Sequence, residues 1–129
     1  MVRTRNVSPS VLFIDDDPDQ RTVLGMVLEC GGCEVTFCSS AEQALNELEN
    51  HKFDVVVCDL RMPAMSGEEF LEEFRSVFGT KTPVVLLSAG EDRLDEIYYE
   101  LGNTRFCKKE HCVKHLVKLV SSVAPEHVL

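Results

Sequence analysis

Asp59 follows a wholly apolar run, Val55-Val56-Val57-Cys58, and precedes Leu60-Arg61-Met62-Pro63. A carboxylate at the carboxyl end of a buried strand packs poorly. It is well placed for chemistry, because open parallel sheets bind ligands outside the carboxyl ends of their strands. Other strand-like runs end in groups of complementary kind: Val11-Leu12-Phe13-Ile14 in Asp15-Asp16, Val84-Val85-Leu86-Leu87 in Ser88-Ala89-Gly90, and Arg105-Phe106-Cys107 in Lys108-Lys109. In a parallel sheet these ends share one edge. Three carboxylates brought together there repel one another, and a single ammonium leaves an excess of negative charge. A divalent cation would neutralise it. Oxygen-only donors favour Mg²⁺ or Mn²⁺, and acids, a metal, a lysine and a hydroxyl are the components of phosphoryl transfer.

The elements that position these groups alternate along the whole chain. After the first run, Asp17-Pro18 reads as a helix N-cap with proline at the first helical position. Leu24, Val27 and Leu28 supply an apolar face, and Gly31-Gly32 end that helix. Glu34 to Cys38 is a second strand. Ser40-Ala41-Glu42-Gln43 and Ser66-Gly67-Glu68-Glu69 read as capping boxes. The first opens a helix with Ala41, Ala44, Leu45 and Leu48 on one side. The second opens a helix striped by Phe70, Leu71, Phe74, Val77 and Phe78. Leu94, Ile97, Tyr98 and Leu101 mark a fourth helix, stopped by Gly102, and Val113, Leu116, Val117 and Val120 a fifth, closed near Pro125. The pattern is (βα)₅, an α/β fold with a doubly wound parallel sheet. Its continuous apolar strands are those of a sheet covered on both faces, with right-handed crossovers. Ser8-Pro9 and Pro125 to Leu129 read as frayed ends.

The 129 residues suit one domain, 1–129, with a core about 10–124, and the composition is 44% hydrophobic and 27% charged, as in ordinary globular proteins. A net charge of −9 disfavours nucleic acid and anionic membranes. Met1 to Ser10 carries two Arg and no apolar stretch of the secretory kind, and no run approaches transmembrane length. The expectation is a cytoplasmic protein whose six Cys stay reduced.

In this arrangement the sequence resembles a response regulator receiver domain of two-component signalling, of the chemotaxis-regulator kind. The resemblance spans roughly Val11 to Val123. It rests on Phe13-Ile14-Asp15-Asp16-Asp17-Pro18, Asp59-Leu60-Arg61-Met62-Pro63 with Gly67, Thr82-Pro83 with Ser88-Ala89, and Gly102 with Lys109 seven positions on. It implies a flavodoxin-like sheet of strand order 2-1-3-4-5. It implies Asp59 as phosphoacceptor, attacking the phosphorus of a phosphohistidine on a sensor histidine kinase or phosphotransfer protein. Asp16 would bind Mg²⁺ (or Mn²⁺) directly, Asp15 chiefly through water, and the Arg61 backbone carbonyl would complete the set with Asp59. Lys109 would pair with the phosphoryl oxygens and Ser88 would hydrogen-bond them. Phe106 would be the switch aromatic. Arg61 and Gly90 would flank the path of hydrolytic water. The face built from the fourth helix, fifth strand and fifth helix would be the one that pairs with a second copy or a partner. Such a domain is a signalling module rather than an enzyme with an external product.

Other readings compete. Asp15 and Asp17 satisfy D-x-D, as in a small phosphohydrolase with an Asp nucleophile on strand 1, although Asp19 stands where that family wants Thr or Val. A degenerate receiver acting only as a binding platform is the third, because Glu110 replaces the proline usual after the lysine. The Lys109–Glu110 peptide is then expected to be trans, and Glu110 to pair with Lys108 and leave Lys109 free or to compete with the phosphoryl group for Lys109. The stretch from Ser88 to Gly102 is also one residue shorter than the resemblance implies. Cys30-Gly31-Gly32-Cys33 is a C-x-x-C, a redox or zinc signature, and Cys107, His111, Cys112 and His115 are further donors. Against that, Cys38, Cys58 and Cys107 fall in strands as small core residues.

Overall fold

The computed structural model describes residues 3–4, 8–89, 102–125 and 127–128. The elements are β1 (Ser10–Ile14), α1 (Pro18–Cys30), β2 (Glu34–Cys38), α2 (Ala41–Asn50), β3 (Val55–Asp59), α3 (Gly67–Phe78), β4 (Val84–Ser88), β5 (Thr104–Lys108), a 3₁₀ turn (Lys109–His111) and α4 (Cys112–Val123). The helix expected around Leu94 to Leu101, and Gly90 before it, lie outside the described residues.

The five strands form one parallel sheet in the order β2-β1-β3-β4-β5. That is the doubly wound, flavodoxin-like order, with its switch point between β1 and β3. Strand alternation divides the core in two. Leu12, Ile14, Val56, Cys58, Val84 and Leu86 face α2 and α3, where Ala44, Leu48, Phe70, Leu71 and Phe74 cover them. Val11, Phe13, Val55, Val57, Val85 and Leu87 face α1 and α4, against Leu24, Leu28, Leu116 and Val120. Every residue of β3 and β4 is buried, which is why those runs carry no polar alternation. At the amino edge, the Asp54 carboxylate accepts from the Ser10 backbone N–H (2.9 Å) and the Asp54 N–H donates to the Ser10 hydroxyl (3.0 Å). This clamp fixes β1 against β3 at the end opposite the functional edge.

The caps largely follow the sequence. Asp17 accepts from the N–H groups of Asp19 and Gln20, with Pro18 opening α1. Ser66 and Glu69 form a complete capping box. The Ser40 box is half formed: Ser40 accepts from Gln43 N–H, but Gln43 Oε1 accepts from Ser39 N–H (2.8 Å) instead of Ser40.

Three apolar positions read as core are exposed: Val77 by 62%, Phe78 by 40% and Val113 by 64%. Periodicity gives a residue's angle about the helix axis but not how far along the axis its cover extends. In α3 the last turn is closed by buried Arg75, and in α4 the stripe begins one residue earlier, at Cys112, which is fully buried. The termini also differ from the frayed ends expected of them. Arg3–Thr4 pairs antiparallel with His127–Val128, satisfying backbone groups that would otherwise face solvent.

Candidate functional site

β1, β3, β4 and β5 deliver Asp15, Asp59, Ser88 and Lys109 to the carboxyl edge of the sheet. Asp59 is the last residue of β3 and is buried, 3% exposed. Lys109 opens the 3₁₀ turn after β5 and reaches across β4 to it. Its Nζ lies 3.0 Å from Asp59 Oδ1 and 3.1 Å from Oδ2. The counting that favours Lys109 over Lys108 therefore agrees with the geometry, and Lys108 is exposed. Asp59 Oδ1 also accepts from Arg61 N–H (3.2 Å).

Gly67 makes the loop after β3 possible. A Cβ there would stand 2.5 Å from the Asp59 carbonyl oxygen and 2.8 Å from Leu60 Cα. The start of α3 can thus lie directly on the end of β3, with Gly67 N–H donating to the Leu60 carbonyl (3.0 Å).

Asp15 is fully buried at the end of β1. Its Oδ1 accepts from Asp17 N–H (2.9 Å) and its Oδ2 from the Gln20 amide. Arg21 Nη1 donates to the Asp15 carbonyl (2.7 Å). Burial raises the Asp15 pKa from 3.8 to about 6. The Asp17 N–H opposes this, the Asp59 charge adds to it, and Gln20 and Lys109 offset part of it. Asp16 is exposed beside it. Donor oxygens of Asp15, Asp16 and Asp59 lie within 4.8 Å of one another. This is a compact oxygen-only set suited to a hard divalent cation, and the raised Asp15 pKa is the strain that a cation would relieve.

Ser88 is fully buried, and its hydroxyl has no hydrogen-bond partner among the described residues. Such a group costs roughly 1–3 kcal/mol until it finds one. Phe106 is half-buried and packs against the α2–α3 side of the core.

The Lys109–Glu110 peptide is trans, as expected without proline. Glu110 does not take Lys108 as its partner. Its carboxylate lies 3.9 Å from His111 Nε2, and the Lys109 ammonium goes to Asp59. Asp17 is engaged as the cap of α1, which occupies the second acid of the D-x-D reading. Cys30 is exposed and Cys33 buried, both as thiols. Sequence reasoning missed Gln20, which is simply one turn into α1 behind Asp15, and the partnerless state of Ser88. It also missed Arg75, whose guanidinium donates to the carbonyls of Gly79, Thr82 and Asn103.

A flavodoxin-like domain with an acidic cluster and a buried Asp paired to a partly exposed Lys at its carboxyl edge defines a narrow class of protein. The chain belongs to the response regulator receiver domain family, whose model matches residues 11–121. It is thus a receiver domain of the two-component response regulators. Receiver domains bind Mg²⁺ at an acidic pocket, and Asp15, Asp16 and Asp59 form such a cluster here.

Among curated proteins, it is 28% identical over 115 residues to the sensory transduction protein RegX3 of Mycolicibacterium smegmatis, covering 88% of this chain and 50% of that protein. It is 31% identical over 124 residues to the probable transcriptional regulator ycf29 of Cyanophora paradoxa, covering 93% and 58%. The chain spans about half the length of the curated relatives it matches first. Among solved structures, the Vibrio cholerae chemotaxis protein CheY4 superposes with a TM-score of 0.79 at 28% identity, covering 90% of this chain and 98% of that one. Full-length FixJ from B. japonicum gives 0.81 at 26%, covering 92% and 58%. No helix among the described residues is long and apolar enough to cross a membrane.

Proposed function

We propose that Asp59 accepts a phosphoryl group from the phosphohistidine of a sensor histidine kinase or phosphotransfer protein. The observation that carries this reading is the buried Asp59 carboxylate, held at 3.0 Å by Lys109 within reach of Asp15 and Asp16. A carboxylate oxygen of Asp59 attacks phosphorus, the P–N bond breaks, and its electron pair returns to the imidazole of the donor. Asp15, Asp16, Asp59 and the Arg61 carbonyl would hold Mg²⁺, or Mn²⁺ in its place, and the ion would neutralise charge on the transferring group. Lys109 moves from the Asp59 carboxylate to the arriving phosphoryl oxygens, so its ammonium stays paired throughout.

Ser88 supplies the response. Its partnerless hydroxyl gains an acceptor in the phosphoryl group, and Phe106 follows it inward. The phosphoryl group thereby selects one of two arrangements of this edge. The signal leaves through a partner or an output domain. On this reading 1–129 is one receiver domain, a phosphoacceptor in the cytoplasm that catalyses only its own phosphorylation and slow dephosphorylation.

The test is intact-mass analysis after incubation with Mg²⁺ and acetyl phosphate or a cognate kinase. One phosphoryl group is expected on the native chain and none on Asp59→Asn. A native chain that gains nothing, or a variant that gains as much, refutes the assignment.

A further inference from the structure

Cys107 and Cys112 bracket the turn that carries Lys109. Cys107 is the penultimate residue of β5 and Cys112 the first of α4, and both side chains enter the core layer between the sheet and α1–α4. The Cys112 thiol donates to Cys107 Sγ at 3.3 Å and lies 3.4 Å from the Lys108 carbonyl, which also receives Cys107 Sγ at 3.8 Å. A disulfide needs the sulfurs only about 1.3 Å closer, at about 2.0 Å. The pair is not sealed off. An open groove of about 550 Å³ runs between β5 and α4, with Cys107, Phe106, His111 and Leu119 in its wall. Cys107 is 6% exposed and Cys112 fully buried.

We propose that Cys107 and Cys112 are an oxidisable dithiol. Closing to a disulfide, it cross-links the two ends of the Lys109 turn and slows phosphoryl uptake at Asp59. The coupling to uptake rests on the reading of Asp59 as phosphoacceptor; the dithiol does not. The oxidant is a small two-electron species, a peroxide or a low-molecular-weight disulfide, small enough for the groove. With hydrogen peroxide, Cys107 sulfur attacks one oxygen, the O–O bond breaks, and the electron pair leaves with the other oxygen, which takes the thiol proton as water. Cys112 sulfur then displaces hydroxyl from the Cys107 sulfenic acid, and its own proton leaves with that hydroxyl as a second water.

The order of events follows from the surroundings. Burial, the hydrogen bond to Cys107 and the Cys107 charge push the Cys112 thiol well above its ordinary pKa, while Lys109 lowers it. Cys112 is therefore the resolving thiol. Oxidation of Cys107 removes two of the influences that keep it protonated. The consequence for the site comes from Lys109, which must leave the Asp59 carboxylate and follow the phosphoryl oxygens. A turn tied at both ends restricts that motion, and displacements of about 1 Å at a reacting centre cost up to about a hundredfold in rate.

The test uses the full chain with Cys30→Ser, to remove the exposed thiol. The folded protein is equilibrated with glutathione disulfide and, separately, hydrogen peroxide, alkylated, and peptide-mapped. A Cys107–Cys112 link reversible by dithiothreitol is expected, absent from both Cys107→Ala and Cys112→Ala. The cross-linked protein is expected to gain phosphate from acetyl phosphate roughly tenfold more slowly than the reduced protein, and reduction restores the rate. Both thiols still alkylated after oxidant treatment, or an unchanged rate in the linked form, overturns the proposal. Absence of phosphate gain in the reduced protein overturns the phosphoacceptor reading instead, and the peptide map still decides the dithiol.

Discussion

Asp15 is a carboxyl group under electrostatic strain, and the strain has a pH signature. Its folded pKa, about 6, stands above its ordinary value of 3.8. Below about pH 3 the group is protonated in both folded and unfolded chains and has no effect on stability. As pH rises from about 3 to 6 the unfolded chain ionises while the folded one retains its proton, so folding loses stability. Above about 6 the loss is complete, up to about 3 kcal/mol. In EDTA, Asp15→Asn is therefore expected to be more stable than the native chain at pH 7.5, with the difference vanishing at about pH 3, as read by urea unfolding at both values. Ser88→Ala carries the same logic for a neutral group. Removing a buried hydroxyl that has no partner should leave the unphosphorylated domain as stable or up to about 1 kcal/mol more stable, while weakening the response to acetyl phosphate. Asp15 and Asp59 are legible in the sequence because each ends a strand-like run, whereas Lys109 is preferred to Lys108 only by counting seven positions on from Gly102. Nothing in the sequence tells whether a hydroxyl like that of Ser88 finds an acceptor, because that depends on atoms of other strands.

At the scale of the element, α3 shows what periodicity conveys and what it omits. The stripe of Phe70, Leu71 and Phe74 is buried as its spacing implies, but the end of the helix is held by a charge. Arg75 is 8% exposed and bridges Gly79 (3.2 Å), Thr82 (2.6 Å) and Asn103 (3.0 Å), with its guanidinium 5.4 Å from the Phe74 ring centre. Asn103 adds bonds from its amide to the carbonyls of Thr80 and Lys81. One cation thereby ties the α3–β4 turn to the start of β5, the strand that leads to Lys109. A sequence reading assigns an Arg in an amphipathic helix to solvent by default, and only the distant carbonyls reverse that. Arg75→Met should cost roughly 2–4 kcal/mol in urea unfolding, because three carbonyls lose a charged donor. Arg75→Lys should recover only part of it, since an ammonium cannot reproduce the planar fork. Full recovery by lysine would mean that charge alone, and not the bridging geometry, holds this end of the sheet.

For the whole molecule, the (βα)₅ alternation followed from apolar runs separated by capped helices and the order β2-β1-β3-β4-β5 from the family resemblance alone, while the terminal pairing of Arg3–Thr4 with His127–Val128 had no such signal because two-residue strands have no period. That topology gathers carboxylates at one edge of a chain that already carries −9. Two effects of Mg²⁺ on stability must then be separated. Any salt screens the general self-repulsion of an acidic chain. A bound ion stabilises by mass action instead, by about 1.4 kcal/mol at ten times its Kd, or roughly 4–7 °C in Tm for a domain of this size. Millimolar MgCl₂ is expected to raise Tm by that order over NaCl of equal ionic strength. Asp16→Asn should abolish the difference while leaving the NaCl response intact, because Asp16 is exposed and its loss leaves the core untouched. Equal Tm values in the two salts would reduce the acidic edge to a source of repulsion and remove the basis for a cation there.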